Sequence, residues 1–357
     1  MRRLIAVIVA CIFLLPAGAG AALPNDLAVV YARRTDLQSA FAPDGSARTA
    51  KLKIVLPTMA SWARVYGYKE HPVELAAYAP LAVASAARAS RTVIIPAKAT
   101  KYDFDFSLVT ADKVLVIDDA SGEVLLADKA NELHPIASLS KLMTAAVVLD
   151  RGVSMDKLQA ITRDDEVGGA RLRVDVGSVL TVRQLFDAAL IGSANNAASA
   201  LAASTGLDRD DFATAMNAKA KAMGLGDTHY VDPTGIEPGN VSTAKDIAKL
   251  ARALFNVQDI KRATTTSRVT MTAGGYTHSF NNTDGLLIDP NNGLYVLGGK
   301  TGYLEESMWN LVVKMNDHQH PTLIVVVFGS ASQSASAKDA AAAARWVWRN
   351  YSWGAGG

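Results

Sequence analysis

The sequence predicts an α/β protein of the α+β kind, an antiparallel sheet flanked by helices and carrying an all-helical lobe. Three observations predict it. Short β-branched runs occur soon after residue 110 and return beyond residue 268. A long block of helical pattern separates them, and an Ala-rich helix closes the chain. Half of the 357 residues are hydrophobic, and 36 basic side chains stand against 34 acidic ones. That balance suits one large globular domain with extra segments and gives no indication of nucleic-acid binding.

The first element is MRRLIAVIVACIFLLPAGAGAALP, with Arg2 and Arg3, an apolar run from Leu4 to Leu15, and the small residues Ala19-Gly20-Ala21. These are the three parts of a secretory signal, so residues 1–21 are expected to be cleaved and the mature protein exported to the periplasm. A membrane anchor is the competing reading. The apolar run is shorter than the roughly 20 residues that span a bilayer, and no membrane association is expected after cleavage. Ile8-Val9-Ala10-Cys11 resembles a lipidation site only loosely, because apolar residues continue past the cysteine. Cys11 is the single cysteine, so the mature chain would hold no disulfide, thiolate metal site or cysteine nucleophile.

Residues 22–105 read as a partly disordered N-terminal extension of unknown role, with turn clusters and an Ala-heavy piece that Pro80 interrupts. KLKIVLP and RTVIIP within it have strand character, but no chemical constellation appears there. From residue 106 to 357 the pattern sharpens into the main domain. ADKVLVIDDASGEVLLADKA is two β-rich runs around Asp-Asp-Ala-Ser-Gly, a hairpin signal. SVLTVRQLFDAALIGSANNAASALAAST and DFATAMNAKAKAMGLG are helical, the second closed by glycine. RVTMTAGG, GLYVLGGKTGYLEES, MWNLVVKMND and PTLIVVVFGS return to strands, and SAKDAAAAARWVWRNYSW is the last helix.

The chemistry begins in PIASLSKLMTAAVVLD, where a lysine follows a serine by three residues at the mouth of an apolar helix. Residues three apart share a helix face, so Ser138 and Lys141 would present Oγ and Nζ to one place, Ser138 lying in the first helical turn. The helix N-terminus favours negative charge near the serine. Burial would lower the lysine pKa until a neutral amine can accept the serine proton. A lone S-x-x-K is a weak signal, for which a solvated pair is the ordinary explanation. Two companions strengthen it. Ser193-Ala194-Asn195 ends an apolar helical run, and Lys300-Thr301-Gly302 sits in a strand-like segment behind Gly298-Gly299. The ordered trio S-x-x-K, S-x-N and K-T-G is shared by penicillin-binding proteins and class A β-lactamases.

Together with the trio, LIGSANNAASALA, AMNAKAKAMGLGDTHYVDPTGIEPGNVSTAKDIAKL and GGKTG resemble the low-molecular-mass penicillin-binding proteins, the D-alanyl-D-alanine endopeptidase/carboxypeptidase family, from about Leu108 to about Asn350. The resemblance is nearest to the endopeptidase type. It implies a β-lactamase/transpeptidase-like catalytic domain over residues 106–357 and a serine D,D-peptidase acting on peptidoglycan stem peptides and cross-links. It also implies Ser138 as nucleophile, Lys141 as general base and Ser193 as proton relay to the leaving amine. Asn195 would hold Lys141 and the substrate amide. Lys300 and Thr301 would meet the substrate's carboxylate or amide end, and Gly302 would let substrate backbone lie along the strand. The backbone N–H groups of Ser138 and Tyr303 would form the oxyanion hole. β-Lactams would acylate the same serine, and neither a metal nor a cofactor is called for.

Other features have plainer readings. His318 and His320 in NDHQHP read as an exposed turn, without further clustered metal ligands. His134 reads as structural, because Lys141 already supplies a base. RLRVDVGS, Arg171 to Ser178, reads as a charged loop near the cleft, and Asn281, Asn282 and Asp284 as turn chemistry. Trp346, Trp348 and Trp353 are expected to pack the last helix on the sheet. Three functions compete with the endopeptidase. A carboxypeptidase would remove a terminal D-Ala; the resemblance implies that many carboxypeptidase relatives carry an extra C-terminal β-domain and amphipathic anchor, which are not expected here after WGAGG. A serine β-lactamase would need a deacylating carboxylate, for which Glu237 is the main candidate between the second and third motifs. An inactive cell-wall binding module would not require the acid–base set.

Overall fold

A computed structural model describes residues 93–289 and 291–354. The expected signal peptide, KLKIVLP and nearly all of the 22–105 extension lie outside the described residues. In chain order the strands are β1 (Ala97–Lys98), β2 (Lys113–Asp118), β3 (Val124–Asp128), β4 (His134–Pro135), β5 (Leu158–Ala160), β6 (Val179–Thr181), β7 (Val241–Ser242), β8 (Arg268–Ala273), β9 (Tyr276–Asn281), β10 (Tyr295–Leu304), β11 (Met308–Asn316), β12 (Leu323–Ser330) and β13 (Tyr351–Ser352). The helices are α1 (Ser140–Asp150), α2 (Val182–Leu190), α3 (Asn195–Ala203), α4 (Arg209–Ala222), α5 (Ala244–Leu254), α6 (Gln258–Thr264), α7 (Gly285–Ile288) and α8 (Gln333–Asn350).

The main sheet has the order β10-β11-β12-β2-β3, with every pairing antiparallel. Side chains alternate across a strand, and here both faces are covered. Val114, Val116, Leu311, Val313, Val325 and Val327 face the cluster beneath α8. Leu115, Ile117, Val312, Ile324, Val326 and Phe328 face the helical body. Double covering explains why LIVVVF in β12 is a continuous apolar run, buried from end to end. Helix α8 approaches closely because its inward face is mostly alanine, with Val347 and Trp348 filling its far end. Ser332 caps it by accepting from Ala335 N–H at 3.0 Å.

Helix α1 runs through the helical body and is buried from Ser140 to Val148, which accounts for its apolar residues on every side. Its hydroxyl at Thr144 is satisfied by donating to Pro233 O at 2.6 Å. The expected helical lobe is present as α2, α3 and α4, packed on α1 through one continuous core. Gly224, in the left-handed region at φ 67°, closes α4 as a glycine stop.

Four expectations need adjustment. Ser138 does not lie in the α-helix. Ala137 takes a left-handed φ of 51°, so residues Ala137–Leu139 form a tight 3₁₀ turn and α1 starts at Ser140. The packed body begins before residue 106, because β1 pairs with β13 and Phe104 is buried in the cluster beneath α8. RTVIIP forms no strand in its described part; Val93, Ile94 and Ile95 are exposed and the strand falls at Ala97–Lys98. SFN belongs to β9, a hairpin partner of β8 turned at Gly274-Gly275, so turn chemistry starts only at Asn282. Trp348 and Trp353 are buried against the sheet as expected.

Replacing Ile324, fully buried at the centre of β12, by alanine is expected to cost about 2–5 kcal/mol. Urea unfolding would show a lower midpoint with an unchanged m value.

Candidate active site

Three structural units deliver the three motifs to one cleft. The 3₁₀ turn and α1 carry Ser138 and Lys141, the α2–α3 junction carries Ser193 and Asn195, and edge strand β10 carries Lys300, Thr301 and Gly302. A cavity of about 540 Å³ opens over them, lined by Ser138, Ser193, Asn195, Thr301, Gly302 and Tyr303 among others. The structure therefore brings all the expected side chains together.

Lys141 is the centre of the arrangement. Its Nζ lies 2.7 Å from Ser138 Oγ, 2.6 Å from Asn195 Oδ1 and 2.6 Å from Thr234 O. Asn195 Nδ2 donates to Gly168 O at 2.8 Å, which fixes the amide so that its oxygen faces the lysine. Two of the three neighbours can therefore only accept. A neutral amine has two N–H bonds and one lone pair, so donating to both leaves the lone pair for the Ser138 hydroxyl. Burial holds the Lys141 pKa well below the ordinary lysine range, the nearby Lys300 charge lowers it further, and Asp232 opposes both. An amine so placed is equipped to take the serine proton.

Ser193 occupies the left-handed region at φ 57°, a costly conformation for serine that turns its side chain into the cleft between α2 and α3. Lys300 Nζ donates to Ser193 Oγ at 2.9 Å and to Thr301 O at 2.8 Å. Burial lowers the Lys300 pKa to about 7, while Asp284 works to raise it. Thr301 Oγ1 bonds Thr283 Oγ1 at 2.5 Å, which joins β10 to the segment before α7.

Two glycines let backbones meet at the serine. A methyl group on Gly302 would lie 2.8 Å from Ile136 O and 3.2 Å from Ser138 N. The motif's last residue is thus pressed against the serine turn, an additional reason for glycine beyond room for substrate. One on Gly235, whose φ is 79°, would lie 1.9 Å from Ala137 O. Leu304 N–H turns inward to Ser307 Oγ at 3.1 Å. Alternation along an antiparallel edge then sends Tyr303 N–H outward, to the side of Ser138.

Sequence reasoning missed the supports behind these groups. Asp232 accepts from Thr234, Gly235 and Glu237 N–H and from Asn240 Nδ2, holding the loop that presents Thr234 O to Lys141. The Asp-Pro-Thr-Gly turn signal was the cue available. Asp284 is fully buried; Oδ1 caps α7 through Leu286 N–H at 2.9 Å, while Oδ2 has no partner among the described residues and rests against Gly299. Burial pushes its pKa up to about 6, and the Lys300 charge opposes that rise. His134 is structural: its ring is buried, stacks on Phe328 and reaches Ser307 O at 3.0 Å. His318 and His320 lie in an exposed turn, His320 paired with Asp317.

Residues 98–332 match the peptidase family described as D-alanyl-D-alanine carboxypeptidase. The chain belongs to this family of serine peptidases. A D-alanyl-D-alanine endopeptidase of Pseudomonas aeruginosa is 35% identical over 245 residues, covering 67% of this chain and 77% of the relative. The Escherichia coli protein of the same name is 34% identical, over 64% of this chain and 75% of the relative. The crystal structure of a Streptomyces DD-transpeptidase superposes with a TM-score of 0.63 at 26% identity, covering 68% of this chain and 98% of that one. The family assignment and this likeness bear out the expected transpeptidase-like fold.

Gly235→Ala is expected to destabilise the protein by about 2 kcal/mol or more, through strain and a clash with the Ala137 carbonyl. A thermal melt would show the lower Tm.

Proposed function

We propose that this serine peptidase cleaves D-Ala-containing cross-links of peptidoglycan through an acyl-enzyme on Ser138. The observation that carries the reading is the buried Lys141 amine within hydrogen-bond distance of two fixed acceptors and of the Ser138 hydroxyl, an arrangement that leaves the lone pair of a neutral amine for the serine.

In the first step Ser138 Oγ attacks the carbonyl of a D-Ala residue and Lys141 takes its proton. The oxygen that gains charge is received by the N–H groups of Ser138 and Tyr303. The proton held by Lys141 then passes through the Ser193 hydroxyl, which Lys300 holds, to the departing amine as the C–N bond breaks, leaving Lys141 neutral again. Water then attacks the ester, losing a proton to the neutral Lys141, and as the ester C–O bond breaks that proton returns to Ser138 Oγ and the acid is released. Asn195 Oδ1 fixes Lys141. Thr301 and Lys300 offer a hydroxyl and a positive charge to the carboxylate or amide end of the substrate, and a β-lactam ring would enter at the same serine.

Endopeptidase action is favoured over carboxypeptidase action by the relatives matched across about two-thirds of this chain at 32–35% identity, all named D-alanyl-D-alanine endopeptidase. A β-lactamase role is disfavoured by the position of Glu237. Its side chain is exposed, and the cavity wall in that loop comes from Gly235, Ile236 and Pro238. The signal-like N-terminus supports export to the periplasm, where the substrate lies.

Two measurements test the reading. Incubated with a penicillin, the parent protein is expected to gain a long-lived adduct by intact mass and the Ser138→Ala variant none; absence of an adduct on both would sink the proposal. Acylation rate should rise with pH as Lys141 loses its proton and fall as Lys300 loses its own. Asp284 raises the Lys300 pKa, so Asp284→Asn, which keeps a capping oxygen, should move the alkaline limb to lower pH. An unmoved limb would show that the carboxylate does not sustain the Lys300 charge.

A further inference from the structure

A second cavity, of about 400 Å³, lies beside the catalytic cleft and shares Gly192 with it. One wall is the Arg171–Arg173 segment, the other the β9 strand with His278 and Phe280. The two walls are fixed to the Ser193 turn. A methyl group on Gly192 would lie 2.8 Å from the Phe280 ring, and Thr283 N–H donates to Ile191 O at 3.2 Å. Leu172 is anchored from both backbone groups by the Asn196 side chain, at 2.9 Å each. The arginines flanking Leu172 are therefore held at the rim by a rigid support.

The charges facing this cavity are mostly positive. Arg171 bonds Glu166 Oε1 and Val174 O, each at 3.1 Å, so its charge is partly answered. Arg173 is exposed and has neither an ion pair nor a hydrogen bond among the described residues. His278 Nε2 lies 3.1 Å from Ala273 O, an acceptor, so Nε2 carries the hydrogen. An unanswered guanidinium beside a peptide-binding cleft is a ready carboxylate partner, since its fork matches two oxygens at once.

We infer that this cavity is an anion subsite, in which Arg173 binds a free carboxylate of the peptidoglycan stem whose scissile carbonyl lies at Ser138. The inference rests on the proposed function and adds to it a preference between stems. Stem peptides carry free carboxylates, and those same groups occur elsewhere as primary amides. A site built on Arg173 distinguishes the two forms, because an amide offers no charge to the guanidinium.

The test uses purified cross-linked stem peptides in two forms, one with free carboxylates and one with those carboxylates amidated. The parent protein is expected to favour the free form in kcat/KM, mainly through KM. Arg173→Glu should lose about tenfold or more of that preference, while Arg173→Lys should retain part of it. Circular dichroism would confirm that the exposed substitutions leave the fold intact. Equal preference in parent and Arg173→Glu would overturn the subsite alone. Failure of penicillin to acylate the parent would overturn the underlying reading and the subsite with it.

Discussion

The structure depends on one buried lysine. Lys141 is 1% exposed at the start of a helix that is apolar on every side. An ammonium ion there would carry a large desolvation cost, and the alternative to paying it is neutrality. The two oxygens facing Nζ, from Asn195 and Thr234, accept N–H bonds whether the amine is charged or not. Burial and the second lysine both lower its pKa, which favours the neutral form. On the proposed mechanism, nucleophile activation is thus a consequence of packing, which places an amine where its proton is unwelcome beside a hydroxyl that can use its lone pair.

The remaining architecture holds that geometry in place. The amide of Asn195 is oriented by Gly168, and the carbonyl of Thr234 by a loop wound around Asp232. Edge strand β10 comes against the serine turn through Gly302, so the nucleophile and the outward N–H groups of the strand share one small space. Two of the five left-handed non-glycine residues among those described, Ala137 and Ser193, stand at the two serines. Around them the doubly covered sheet and the buried helix α1 supply the rigid packing that sustains such conformations.

Much of this was legible in the sequence because it rests on local pattern. The β2–β3 hairpin, the long helical block, the four returning strand runs and the Ala-rich last helix follow from periodicity and turn residues. The three motifs indicated which side chains would meet. What escaped was set by non-local packing. Nothing local marks Asp284 as more than a turn residue, because its importance comes from Gly299 and Lys300 across the fold. Ser138 was expected inside the helix because its spacing to Lys141 is helical, whereas after the left-handed Ala137 a 3₁₀ turn delays the start of the helix to Ser140 and still leaves the two side chains 2.7 Å apart. Residues 97–105 looked like part of an extension since their partners, β13 and the cluster beneath α8, lie at the other end of the chain.

The protonation state of Lys141 is the most direct test of this account. Carbon-13 NMR of ε-labelled lysine, with the Lys141 signal assigned by its loss in Lys141→Arg, would follow that amine through a pH titration of the folded protein. The account predicts a signal that titrates well below the ordinary lysine range. Titration near 10.5, the ordinary lysine value, would mean that a charged ammonium sits beside Ser138 and would contradict it.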